Sequence, residues 1–222
     1  MKHLSKSVKR LCVLVFTVIL FISMSAVAFA ADTTDTEEEI SAVLAKINAE
    51  YGTNIYVLAE SELIKYGLVD TDSQAISSSE PVNLEETLRY IAEVQIPQFE
   101  RTTQEARIAM LVVSNGMNVL STTDNSVIAS KAIDYATAAV EAYITTDSDG
   151  NTVWGNILKS YCDTNMYQST CFIATSTTAV HTDRKRTIYW TGDGDYIAYI
   201  NGTHYYLYSG KQYASMYVGD YN

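Results

Sequence analysis

The chain has 222 residues, a formal net charge of −11, 47% apolar and 18% charged residues, and 17 Tyr against 15 Lys and Arg. The apolar content excludes a disordered chain, and 3 Cys are too few for a disulfide scaffold. The deficit of cations excludes nucleic acid and anionic lipid as partners, because their phosphates need Lys and Arg to neutralise them.

Residues 1–30 read as a secretory signal peptide. Lys2, Lys6, Lys9 and Arg10 precede an uncharged apolar run from Leu11 through Ile22, and Ala28-Phe29-Ala30 closes it, which places cleavage after Ala30. Leu11 to Ala31 also approaches the about 20 residues that span a bilayer, so a membrane anchor is the competing reading. Cleavage removes Cys12 and four cations, leaving 11 Lys and Arg against 26 Asp and Glu in a secreted protein with no stable membrane insertion. Cys162 and Cys171 remain. Outside the cell such a pair can persist as a disulfide, and the alternative is two free thiols.

Residues 31–116 are acidic and helix-patterned. Thr36 and Glu39 have capping-box spacing, three acids fill the first turn, and Ile40, Val43, Leu44 and Ile47 form one apolar stripe that Gly52 ends. Ile55 to Leu58 is either a short strand or part of the next turn. Ser61 to Tyr66 reads as a brief helix stopped at Gly67, and Asp70 to Glu80 as an exposed loop. Asn83 caps a second long helix with Glu86 three residues on and Leu84, Leu88 and Ile91 at helical spacing; Pro97 is expected to kink or end it. Gln104 to Val113 is expected to resume as helix before a turn at Asn115-Gly116.

Residues 117–222 change to Thr, Tyr, Val, Ile and Ser punctuated by turns. From Ala132 to Thr146, Ala138, Val140, Ala142 and Ile144 alternate with Thr137, Glu141 and Tyr143, and Asp147 to Asn151 supplies a hairpin turn. Further turns are expected at Gly192-Asp193-Gly194 and Asn201-Gly202. Asn-Gly supplies the two positive φ values of a two-residue hairpin loop, which sets Ile200 opposite Thr203, Tyr199 opposite His204, Ala198 opposite Tyr205, Ile197 opposite Tyr206 and Tyr196 opposite Leu207. The aliphatic side is expected to be core. Tyr199, His204, Tyr206 and Tyr208 fall on the other side, which is either covered by a second sheet or open to a ligand.

The fold expected is α+β: an acidic helical N-terminal portion followed by an antiparallel β-sandwich-like C-terminal domain of about six to eight strands. Eleven Tyr lie between Tyr161 and Tyr221, with Trp190 among them. Tyr189, Trp190, Tyr199, His204, Tyr206 and Tyr208 are therefore the candidate ligand-binding platform, for an extracellular protein or polysaccharide.

Catalytic candidates are weaker. Ser169-Thr170-Cys171 followed by Arg184 resembles the nucleophile and arginine of sortase-type transpeptidases, but that family places its base upstream of the cysteine, whereas His181 and His204 lie downstream. No catalytic residue is assigned. Two isolated histidines do not make a zinc site. Asp147, Asp149 and Asn151 alternate around a tight turn and would suit calcium, although an acid is missing at the start of the loop and Asn156 stands where an EF-hand has its Glu. The expected function is non-catalytic recognition outside the cell. The alternatives are a glycan or cell-wall hydrolase using two of Asp134, Glu141, Asp193 and Asp195, and an antagonistic toxin that meets a target cell surface.

Overall fold

The computed structural model describes residues 36–69, 81–113, 126–167 and 169–221. The expected signal peptide, the Asp70 to Glu80 loop and the Asn115-Gly116 turn lie outside the described residues. The elements in chain order are α1 (Glu37–Tyr51), β1 (Tyr56–Val57), α2 (Glu60–Tyr66), α3 (Leu84–Tyr90), a π-helical turn (Ile91–Gln95) and α4 (Ile96–Val113). Six long strands follow: β2 (Ser126–Ile133), β3 (Ala136–Thr146), β4 (Thr152–Thr164), β5 (Thr170–Thr182), β6 (Thr187–Ile200) and β7 (Thr203–Tyr217). They form two antiparallel sheets, β2-β3-β4 and β1-β7-β6-β5, so the fold is α+β with a sandwich-like C-terminal part.

Local chemistry accounts for the helices. Glu37, Glu38 and Glu39 sit in the first turn of α1, where the helix dipole favours anions, and Leu44 and Ile47 are its buried face. Gly67 ends α2 in the left-handed conformation at φ 69°. The Asn83 side chain accepts the Glu86 N–H at 3.0 Å and caps α3. Pro97 neither ends nor interrupts the helix. The π-helical turn lies immediately before it, so the Ile96 N–H reaches back to the Ile91 carbonyl and the chain is already off α-helical register where Pro97 contributes no donor.

The helices share a core with one half of the larger sheet. Leu44, Ile47, Leu84, Leu88, Ile91 and Phe99 pack with Tyr196, Ala198, Ile200, Tyr205 and Leu207. The other half of that sheet faces β2-β3-β4, where Val140, Ala142 and Trp154 meet Ile188, Trp190 and Met216. Trp154 Nε1 donates to the Met216 carbonyl at 3.1 Å and ties the two layers. The seam between β4 and β5 is closed by side chains: Thr177 Oγ1 donates to the Ser160 carbonyl at 2.9 Å, and His181 Nε2 lies 2.6 Å from the Gly155 carbonyl. Helix α4 covers the free edge of β7, where the Lys211 N–H donates to Thr103 Oγ1 at 2.9 Å, so that edge is not left as a template for another chain.

Three strand expectations change. The alternation expected from Ala132 is broken by a turn at Asp134-Tyr135, and β3 begins at Ala136 with β2 paired before it, Ile133 opposite Ala136. Gly192-Asp193-Gly194 is no turn but the middle of β6. These glycines are needed for close approach: a Cβ on Gly194 would strike the Ile173 main chain and the Phe172 ring, and one on Gly192 would strike the Trp190 ring. The Asn201-Gly202 hairpin has the expected register from Ile200↔Thr203 to Ile197↔Tyr206, with φ 48° and 85° at the two loop residues. A bulge then shifts the ladder, and Tyr196 pairs with Tyr208 instead of Leu207.

Candidate functional site

Side chains alternate across a strand, so β5, β6 and β7 present one set to the helices and a second to the opposite, outer face. Cys171, Ile197 and Tyr206 form one cross-strand row of that second set, and Tyr199 and His204 the next. Helix α2 lies over it, because its apolar residues Leu63 and Tyr66, with Leu68 after the Gly67 stop, pack on Leu58, Cys171 and Ile197.

Polar contacts fix this cover. Tyr66 OH donates to Asp195 Oδ2 at 2.8 Å, and the Ser209 hydroxyl donates to the other carboxylate oxygen. Tyr206 OH donates to Ser209 Oγ at 3.0 Å, and the Tyr206 ring stacks on Tyr56 with centroids 4.7 Å apart. Burial and the Asp195 hydrogen bond push the Tyr66 phenol well above its ordinary value, so it stays a donor. Burial, with the Glu62 carboxylate beside it, pushes Tyr56 up to about 12.

Between the end of α2, the end of β4 and the sheet lies a pocket of about 280 Å3. Tyr66, Leu68, Met166, Ile197, Tyr199 and His204 line it, with Cys171 and Ile173; no carboxylate lines it among the described residues. Tyr199 and His204 pack ring to ring at 4.6 Å. Desolvation lowers the His204 pKa, which favours the neutral imidazole.

The six residues expected to form a platform divide among three environments. Tyr199, His204 and Tyr206 share the outer face, half-buried. Trp190 points the other way and is fully buried between the sheets. Tyr189 is buried near the far end of β6 and stacks on Tyr213 at 5.9 Å. Tyr208 is carried by the bulge in β7 to the helix side, where it packs against the Tyr196 region.

Cys162 and Cys171 are free thiols, in place of the disulfide weighed above. Their side chains serve different clusters: Cys162 packs into the space between the layers, while Cys171 belongs to the outer face. Burial raises Cys171 to about 12, and burial with neighbouring Asp163 raises Cys162 to about 11. Cys171 and His204 line the same pocket, yet two strand spacings and one cross-strand row separate them, about 12 Å between Cα atoms. That is too far for a thiolate and imidazolium pair. His181 sits at the β4-β5 seam.

Asp147 is occupied by its own turn. Its Oδ1 accepts from the Asp149 and Asn151 main-chain N–H groups at 2.9 and 2.8 Å, and these bonds, that from Asn151 first, hold its pKa below the usual carboxylate value. Among the described residues, no group of three or more His, Cys, Asp or Glu side chains is placed to hold a metal ion. Of the four carboxylates weighed for hydrolysis, Asp193 and Asp195 stand two residues apart on one face of β6, each engaged by its own partners, Lys211 for the first and Tyr66 and Ser209 for the second; Glu141 accepts from Ser126 at 3.3 Å, and Asp134 lies in the turn after β2.

Sequence reasoning missed Tyr66, Leu68 and Met166, and weighed Asp195 only as a hydrolytic carboxylate. Tyr66 reaches the sheet from a distant segment, and its bond to Asp195 spans 129 positions. Comparison with family models, with curated proteins and with solved structures returns no match.

Proposed function

We propose that this is a secreted, non-catalytic recognition protein that holds a compact apolar group in the outer pocket under α2. The observation that carries the reading is the pocket's size and lining together. About 280 Å3 falls just under the range of about 300 to 1,000 Å3 usual for drug-sized ligands, so the occupant is a single large side chain of a partner or a small hydrophobic molecule. Tyr199 and His204 offer aromatic surface with polar tips, and Met166 offers an adaptable thioether. The described lining residues are mainly apolar and aromatic, which supports binding of an apolar group at this pocket. Secretion rests on the residue 1–30 pattern; among the described residues no helix is long and apolar enough to cross a membrane.

Calorimetric titration with indole and cyclohexanol tests the reading. The wild-type protein should bind at least one of them, Leu68→Trp should fill the pocket and abolish binding, and Tyr199→Ala should weaken it. Equal binding by Leu68→Trp and wild type would remove the pocket from the account.

A further inference from the structure

On the side of the sandwich away from the β4-β5 seam, β2 and β7 come together without main-chain pairing. Between them and α4 lies a second cavity, of about 430 Å3 and inside the usual range for ligand sites. Its chemistry is polar: Glu105 from α4, Lys131 and Asp134 from β2 and its turn, and Gln212 and Tyr213 from β7 all line it.

The hydrogen bonds these groups already make leave each of them further capacity. Gln212 is buried, and its Nε2 donates to Tyr196 OH at 2.9 Å, which fixes the amide and leaves its oxygen as the remaining acceptor. Tyr213 OH donates to Glu105 Oε2 at 3.0 Å, using one of the carboxylate's several acceptor sites. Lys131 Nζ donates to the Ser215 carbonyl at 3.0 Å and retains further protons to give. Asp134 is exposed and makes no hydrogen bond or ion pair among the described residues. The Tyr213 ring stacks on Tyr189 at 5.9 Å and 26°, which restricts its movement.

Carboxylate and amide acceptors, one ammonium donor and an aromatic ring match a ligand that carries many hydroxyls on one edge and C–H groups on a face. Two carboxylates against one ammonium, in a chain of net charge −11, disfavour an anionic polymer. We infer that the cleft between α4, β2 and β7 binds a neutral saccharide, with Asp134, Glu105 and the Gln212 amide oxygen accepting from its hydroxyls, Lys131 donating to one, and Tyr213 covering a sugar face. This site is separate from the outer pocket and stands independently of it.

Titration calorimetry of the full chain against cellopentaose, maltopentaose, xylopentaose, mannopentaose and chitopentaose at millimolar concentration tests the inference. At least one should bind. Loss of a hydrogen bond to a charged group should weaken that binding roughly tenfold in Asp134→Ala, an exposed position where folding is not at issue. Tyr213→Ala should weaken it further with an unchanged near-ultraviolet circular dichroism band for the buried Trp residues, and Lys159→Ala, on β4, should bind as wild type does. No heat with any of the five sugars would overturn the assignment, as would binding that neither Asp134→Ala nor Tyr213→Ala alters.

Discussion

Asn201 and Val82 are joined by two reciprocal hydrogen bonds: Asn201 Nδ2 donates to the Val82 carbonyl at 2.9 Å, and the Val82 N–H donates to Asn201 Oδ1 at 3.1 Å. The hairpin loop thus uses its own side chain as a substitute for a strand partner and fixes the segment that leads into α3. Asn48 does the same to Ile55, donating to its carbonyl and accepting its N–H, both at 2.8 Å, which places β1 against β7. Asn201 therefore ties the segment before α3 to the sheet, while Asn48 ties α1 to the segment entering β1, whose main chain pairs with β7. The bonds to Val82 also occupy the Asn201 side chain, which stands in a glycosylation sequon.

Asn201→Gly separates this tether from the turn. Glycine keeps the positive φ, so the hairpin survives while both amide bonds are lost. Because the bonds are exposed and water replaces them, the expected cost is about 1 kcal/mol by denaturant midpoint, together with faster amide exchange at Val82. Asn201→Ala should cost about 1 kcal/mol more, the price of a left-handed residue without glycine's freedom. Unchanged exchange at Val82 in Asn201→Gly would mean that the tether does not form in solution.

Gly210 is where α4 approaches β7. A Cβ there would strike Thr103 Oγ1 and the Tyr208 ring, so Gly210→Ala should destabilise the protein by about 1 to 3 kcal/mol. Thr103→Ala removes one of the colliding atoms along with its bond to Lys211. The double variant should therefore be more stable than the sum of the two single losses predicts, and strict additivity would contradict the close approach.

The histidines set a pH window. Desolvation lowers the pKa of both His181 and His204 from 6.5, so the unfolded chain takes up their protons before the folded one does. Their contribution is complete above about pH 6.5 and is lost as the pH falls from there through their lowered folded values. Glu85 and Asp147, also lowered, start from 4.5 and 3.8 and act further into acid. Melting temperature should fall between about pH 7.5 and pH 5.5, and His204→Gln should flatten the slope. A melting temperature that rises over that interval would contradict the burial of these rings.

Thiol titration checks the cysteine assignment. With Cys171 raised to about 12 and Cys162 to about 11, the folded chain should react slowly with Ellman's reagent at about pH 8. Unfolding without reductant should expose both thiols at once. Failure to find them until a reductant is added would establish a disulfide instead.

What was legible in the sequence follows from range. Asn201-Gly202, Asn83 with Glu86, and Gly67 act within a few residues, and each does what its local chemistry indicates. Gly192 and Gly194 were misleading because a turn and a close approach both require glycine; the deciding neighbour of Gly192 is the Trp190 ring, and those of Gly194, Ile173 and Phe172, lie some twenty residues earlier. Tyr208 changed sides because the bulge near Leu207 inserts one residue into a two-residue alternation. The pocket was least legible: its roof is Tyr66 and Leu68, its wall Tyr199 and His204, and only the folding of α2 onto the sheet brings them together.

The most direct test of recognition through the outer pocket is a methyl-resolved NMR titration with indole, followed at Leu68, Met166, Ile173 and Ile197. The account predicts saturable shifts at these four residues with little change at Ile133 beside the second cavity, and loss of the shifts in Leu68→Trp. Shifts absent from these four, or centred instead on Ile133, would contradict it.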